Sequence, residues 1–213
     1  MNETRIAAPH RLQTTSWVTV AALAIAGLAH AFFIARNLLG PEDVAGEVVA
    51  RREEFGLGWS IEGEPGLQAV TVARVLTLVV FIVWLYLAHD NFGRRDNPLE
   101  WRKGWVIAGW FVPVANLVIP GQVVKEVYRR SYPEKAWSSV QLVSAWWMAL
   151  LVTFLSYTNT TVYATPGTDA TVTTVYTPAF LAVITGGAGI LAAVLGIIIV
   201  RRVSVWQDSP AAG

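Results

Sequence analysis

Four apolar runs divide the chain: Trp17 to about Ala35, Val70 to Ala88, Val140 to Tyr157 and Pro178 to Val200. A helix needs about 20 mostly apolar residues to cross a hydrocarbon core about 30 Å thick, so each run predicts a transmembrane helix. A fifth apolar stretch, residues 104–120, is different. As a helix, Gly104 to Ile119 would rise only about 24 Å at roughly 1.5 Å per residue. Pro113 and Pro120 each remove an amide donor and crowd the turn before them, and Asn116 stands between the two. Carbonyls freed by such a break need partners at membrane depth, so the break must pack in protein or line a wet cavity. Asn116 carries both a donor and an acceptor for that purpose. The stretch therefore predicts a broken segment, either re-entrant or a kinked helix in which Asn116 caps its own backbone.

Beyond Pro120 the pattern becomes amphipathic. Val123, Val124, Val127 and Tyr128 fall on one helical face, with Lys125, Glu126, Arg129 and Arg130 on the other. This predicts a helix over 121–132 lying on the membrane surface and drawn to anionic lipid, or docking a partner. Two loops have their own patterns. Gly40-Pro41-Glu42-Asp43 has proline in the first turn followed by acids, which predicts a short helix running to about Glu54. Thr160-Thr161-Val162-Tyr163 nearly repeats as Thr173-Thr174-Val175-Tyr176 around a Pro166-Gly167 turn, which predicts a β-hairpin. Two strands alone are marginal, so the hairpin needs the acidic loop or the membrane surface to rest on. In the last run Ala188, Ala192 and Gly196 form a small-residue face on which a helix of this chain or of another copy can pack.

Composition fits a bilayer protein: 54% of residues are hydrophobic, 15% are charged, and the mean hydropathy is +0.46. Ten tryptophans suit membrane interfaces. The lack of cysteine excludes disulfides, thiol catalysis and thiolate metal sites. Ala29-His30-Ala31 has the small-x-small look of a signal-peptidase site. The apolar run continues past it, so the first segment is expected to stay as a span. The distribution of charge decides the topology. With four spans, a segment that returns on its own side and an inner N-terminus, 12 Lys and Arg lie inside and 4 outside. A fifth crossing gives at best 10 to 6. The positive-inside rule favours the first arrangement. The expected fold is all-α: a polytopic helical membrane protein with a small outer cap and both termini cytoplasmic.

Reactive chemistry is sparse. His30 and His89 lie at opposite depths and His10 lies in the N-terminal tail, so a haem held between helices is not expected. No acid lies deep in a span to serve as a proton relay. No nucleophile motif, phosphate loop or metal spacing occurs, and no inverted repeat of the transporter kind. His89, Asp90 and Asn91 are read as helix-end capping rather than catalysis. Neither enzyme activity, a cofactor nor nucleic-acid binding is expected. The candidate interaction residues are Trp110, Pro113, Asn116, Pro120, Gln122 and Glu126. Arg94, Arg95, Arg102, Lys103, Lys125, Arg129 and Arg130 form a basic, lipid-facing set. The expected partners are the bilayer, its anionic lipids above all, and a second protein or copy. Two functions follow: a membrane-embedded accessory protein with a basic cytoplasmic face, or a small transporter or channel using the segment around Asn116.

Trp84-Leu85-Tyr86, Asn91, Gly104-Trp105, Gly109 to Pro113, Ala115-Asn116-Leu117, Pro120, Gln122, Glu126, Arg130-Ser131 and Trp146-Trp147 together carry a resemblance. Over roughly Val70 to Val200 the chain resembles the bacterial membrane family known as domain of unknown function 4328. Two positions depart from its pattern: Gly121 replaces an aromatic residue, and Lys103-Gly104 replaces a small pair. The resemblance implies a bacterial inner-membrane protein and supplies no activity or catalytic residue.

Overall fold

The computed structural model describes residues 8–39, 47–57, 65–95, 98–131, 136–164 and 171–209. The Gly40–Asp43 helix start, Lys135 and the Pro166-Gly167 turn lie outside the described residues. Helices dominate. Helix α1 spans Gln13–Leu39, α2 spans Pro65–Arg94 and α6 spans Ala179–Asp208. Among the described residues three helices are long and apolar enough to cross a membrane: α1, the Thr71–Arg94 part of α2, and α6. Each outruns its apolar stretch because the helix continues through polar residues at its ends. Helix α5, Ala136–Val152, has 17 residues, about 25 Å. The run from Val140 was expected to stay helical to Tyr157, but the chain leaves the helix at Val152 and enters a strand at Leu155.

That strand, β2 (Leu155–Ala164), lies between β1 (Glu47–Leu57) and β3 (Thr171–Tyr176) in an antiparallel sheet. The two threonine-rich repeats face each other, with Thr160 opposite Val175 and Thr161 opposite Thr174. The helix expected as far as Glu54 is overturned, because residues 47–57 form β1 along the other side of β2. Local helix signals are a weak prior, and an available strand edge outweighs them. The acidic loop thus joins the sheet as a third strand, which two strands needed. This sheet also fixes the layout of the helices. Strand β1 links α1 to α2, while β2 and β3 link α5 to α6. The ends of α1 and α5 and the starts of α2 and α6 therefore gather at one end of the bundle, the sheet end.

The broken segment returns to the opposite end, where α2 finishes and α5 begins. Helix α3 covers only Lys103–Ala108, followed by tight turns, a 3-10 turn at Ala115–Leu117, and α4 at Ile119–Ser131. The chain folds back on itself as a hairpin. A Cβ on Gly109 would sit 2.8 Å from Ile119 Cγ2, and the amides of Glu100 and Trp101 reach the Glu126 carboxylate. Val114 takes a positive φ of 65°, a strained conformation for a β-branched residue. Pro120 falls in the first turn of α4, where a missing amide costs nothing. Helix α4 buries Val123, Val124, Val127 and Tyr128 in the common core. Glu126, expected on the polar face, is buried with them.

Helix α1 packs closely on α6. The small-residue face is used within the chain, through Gly186, Gly189, Ala193 and Gly196, and Ala188 lies only half-buried beside it. A Cβ on Gly189 would overlap the His30 ring, whereas one on Gly187 would meet nothing within 4 Å. Gly189→Ala is therefore expected to destabilise the bundle by about 1–3 kcal/mol through overpacking. Gly187→Ala, in the same helix, should be neutral or stabilising by up to about 1 kcal/mol. Unfolding in mixed micelles followed by circular dichroism checks the contrast. Equal effects at the two sites would count against this α1–α6 contact.

Candidate functional site

The two ends of the bundle differ in how fully their polar groups are paired. At the end opposite the sheet, polar side chains close on one another. Asn91 is fully buried; its Oδ1 accepts the His10 amide at 2.6 Å, and its Nδ2 donates to the His10 carbonyl and to Gln207 Oε1. Gln207 in turn donates to the Ala88 carbonyl and to Ser131 Oγ, both at 3.2 Å. The Asp90 carboxylate takes His10 Nε2 at 2.9 Å, Arg94 Nε at 2.8 Å and Lys103 Nζ at 2.6 Å. His89 Nε2–H donates to the Trp101 carbonyl at 2.7 Å, which places its proton on that nitrogen. The Leu12 amide donates to Asp208 Oδ1 at 2.9 Å, so the chain just before α1 is tied to the end of α6. These groups are satisfied by one another, and their role is to lock the helix ends.

The sequence-predicted residues scatter around this lock. Glu126 accepts the Glu100 amide at 2.6 Å and the Trp101 amide at 3.2 Å, clamping the hairpin's two arms together. Pro113 and Gln122 are exposed, Pro120 is buried, and Asn116 is half-buried in the turn. The only hydrogen bond of Asn116 among the described residues is from its own amide to the Val112 carbonyl at 2.9 Å. The expectation that its side chain satisfies freed carbonyls is not met. Trp147 Nε1–H supplies one such bond, to the Leu117 carbonyl at 2.9 Å. Gly121, where an aromatic residue was expected, leaves room for the Trp147 ring, since a Cβ there would come within 2.8 Å of it. Arg94 also holds the Ala8 carbonyl, Arg95 donates to the Gln207 carbonyl at 2.6 Å, and Lys103 stands 4.4 Å from the Tyr86 ring centre. Arg102 and Arg129 are exposed, while Lys125 and Arg130 are half-buried.

Nearer the sheet end lies a pocket between α1, α2, α5 and α6, of about 640 Å³ including its open mouth. Arg74 Nη2 donates to His30 Nδ1 at 3.0 Å, and the guanidinium stands 5.9 Å from the Phe33 ring centre. Trp110 reaches the pocket from the hairpin and packs edge-on against Phe81 and Trp147, at 6.2 Å and 5.8 Å between ring centres. Phe81 stacks on Trp146 at 5.3 Å. Beyond these rings Trp84, Leu85 and Ala88 are fully buried, so the bundle is solid toward the polar lock. Two donors in this region have no partner among the described residues: Arg74 Nε–H and Trp110 Nε1–H. Sequence reasoning picked out Trp110 but not the His30–Arg74 pair. A signal was present, because His30 lies near the end of its run and Arg74 near the start of the next, which puts the two at similar height in successive helices. Gln207 was also missed; it continues the spacing of Val200, Val203 and Ser204 past the end of the apolar run.

Long apolar helices with a hairpin folded back among them define a helical bundle of membrane-spanning character. The chain belongs to the family described as Domain of unknown function (DUF4328), whose model matches residues 66–205. No curated protein and no solved structure matches the chain.

The hydrogen bond to Asp90, and then the contact with Tyr86, raise the Lys103 ammonium above its ordinary 10.5. A group raised in the folded state contributes stability that is complete below the unfolded value and is lost as pH climbs through the folded one. Asp90→Asn should therefore lower the Lys103 value and destabilise the protein at neutral pH. The difference between wild type and variant should shrink as pH climbs above about 10. Carbon NMR of dimethylated lysines, with unfolding followed in parallel, reads both effects. A Lys103 titration that ignores the variant would contradict the assigned pair.

Proposed function

We propose that the chain is a four-crossing inner-membrane accessory protein that presents a basic face to the cytoplasm. In this reading α1, α2, α5 and α6 cross, and the α3–α4 hairpin dips into the membrane and returns. The observation that carries it is the fold-back, with Glu126 joining the hairpin's arms and the end of α2 and the start of α5 on one side. Arg11, Arg94, Arg95, Arg102, Lys103, Arg129, Arg130, Arg201 and Arg202 then share that side, as the positive-inside rule favours. Arg94, Arg95 and Lys103 are engaged within the protein. Arg102, Lys125 and Arg129 are left to meet anionic headgroups or an acidic partner. The apolar face of α4 is covered by protein, so attraction to lipid at this face rests on charge, at about 1 kcal/mol per basic residue. A conduit would need a continuous polar path. Instead the pocket ends on Phe81, Trp110 and Trp146, and Asn116 does not line it. No step of catalysis enters this reading.

The natural lack of cysteine makes the test clean. Single cysteines at Ala50, Thr173, Glu100 and Arg129 are exposed to an impermeant thiol reagent on intact cells. The expected result is labelling at Ala50 and Thr173 alone. A photoreactive group attached at position 129 should then capture phosphatidylglycerol or one specific protein. Labelling of Glu100→Cys from outside would sink the topology. Capture at position 129 no more selective than at position 173 would sink the accessory role.

A further inference from the structure

Arg74 keeps its charge at any physiological pH. Inside an apolar bundle a guanidinium is costly unless an anion pairs with it. Its partner here, His30 Nδ1, accepts a hydrogen bond and is therefore unprotonated, so it offers no negative charge. No carboxylate pairs with Arg74 among the described residues. Among the described residues Arg74 Nε–H is buried without a partner, and so is Trp110 Nε1–H. Both side chains line the same pocket, and the wall they share is apolar, including Leu23, Leu78, Phe81 and Leu150.

We propose that this pocket binds an anionic amphiphile, its oxyanion on Arg74, its apolar body along the Leu–Phe wall and a second oxygen on Trp110 Nε1–H. His30 acts as a positioning residue that holds the guanidinium toward the pocket. Gly189 in turn leaves room for the His30 ring. The chemistry is that of an acyl chain with a carboxylate or phosphate head. A free fatty acid and a membrane phospholipid both carry it. This site is separate from the basic face proposed above, and its test does not depend on which side of the membrane that face occupies.

Tryptophan quenching provides the measurement, since Trp110 and Trp146 line the pocket. The full chain in nanodiscs of zwitterionic lipid is titrated with dibromostearic acid, with its methyl ester and with brominated phosphatidylglycerol. The acid should quench saturably, and the uncharged ester should bind at least roughly tenfold more weakly, as expected for a lost charge-assisted hydrogen bond. Arg74→Gln should remove the saturable phase. Trp110→Phe, which keeps the ring but loses the donor, should weaken it. Tighter binding of phosphatidylglycerol than of the acid would identify a membrane lipid as the source, and the reverse would identify a free acyl carboxylate. Equal binding of acid and ester by the wild-type protein would overturn the proposal, whatever the variants do.

Discussion

Three hydrogen bonds onto backbone hold the α3–α4 hairpin closed, and the layout of the molecule depends on them. Glu126 gathers the amides of Glu100 and Trp101, and Trp147 covers the carbonyl of Leu117. A backbone break among apolar helices is tolerated only when such groups find partners. Closing the hairpin returns the chain to the end of the bundle it left, so α5 runs against α2 and the sheet strands meet at the other end. Without the closure Pro113 and Pro120 would leave carbonyls bare, and the strained backbone at Val114 would have nothing to hold it.

The ends of the bundle then take different characters. Opposite the sheet, Asn91, Gln207 and Ser131 bond one another, Asp90 pairs with His10, Arg94 and Lys103, and Asn91 and Asp208 tie the chain at His10 and Leu12 to α2 and α6. Buried polar networks of this kind rigidify when every member is paired. Nearer the sheet, Arg74 and Trp110 keep donors without acceptors among the described residues, around an open pocket. The closed end is suited to holding geometry and presenting charge, and the pocket to taking up a ligand. An aromatic layer built on Phe81, Trp110 and Trp146 separates the two.

Much of this was legible in the sequence, because apolar runs and prolines act through local rules. The three long helices, the break at 104–120 and the family are all read from residues near one another in the chain. What escaped depended on distant partners. Strand β1 forms because the edge of β2 is there to receive it, overriding local helix signals at Glu47 to Glu54. Glu126 belongs on the polar side of a helical wheel, yet the amides of Glu100 and Trp101 draw it inward. Asn116 is the obvious polar group in the break, but Trp147, from a different helix, reaches the Leu117 carbonyl. A helical pattern shows which face is apolar; it does not show which donor lies opposite.

The fold-back is tested most directly by the distance between spin labels at Glu100 and Arg129, both exposed. Glu100 bonds Glu126, one turn before Arg129, so double electron–electron resonance should find the labels well within about 25 Å. If residues 100–129 ran as one continuous crossing helix they would lie about 43 Å apart. A distribution centred at that longer distance would contradict the hairpin and the arrangement of helices built on it.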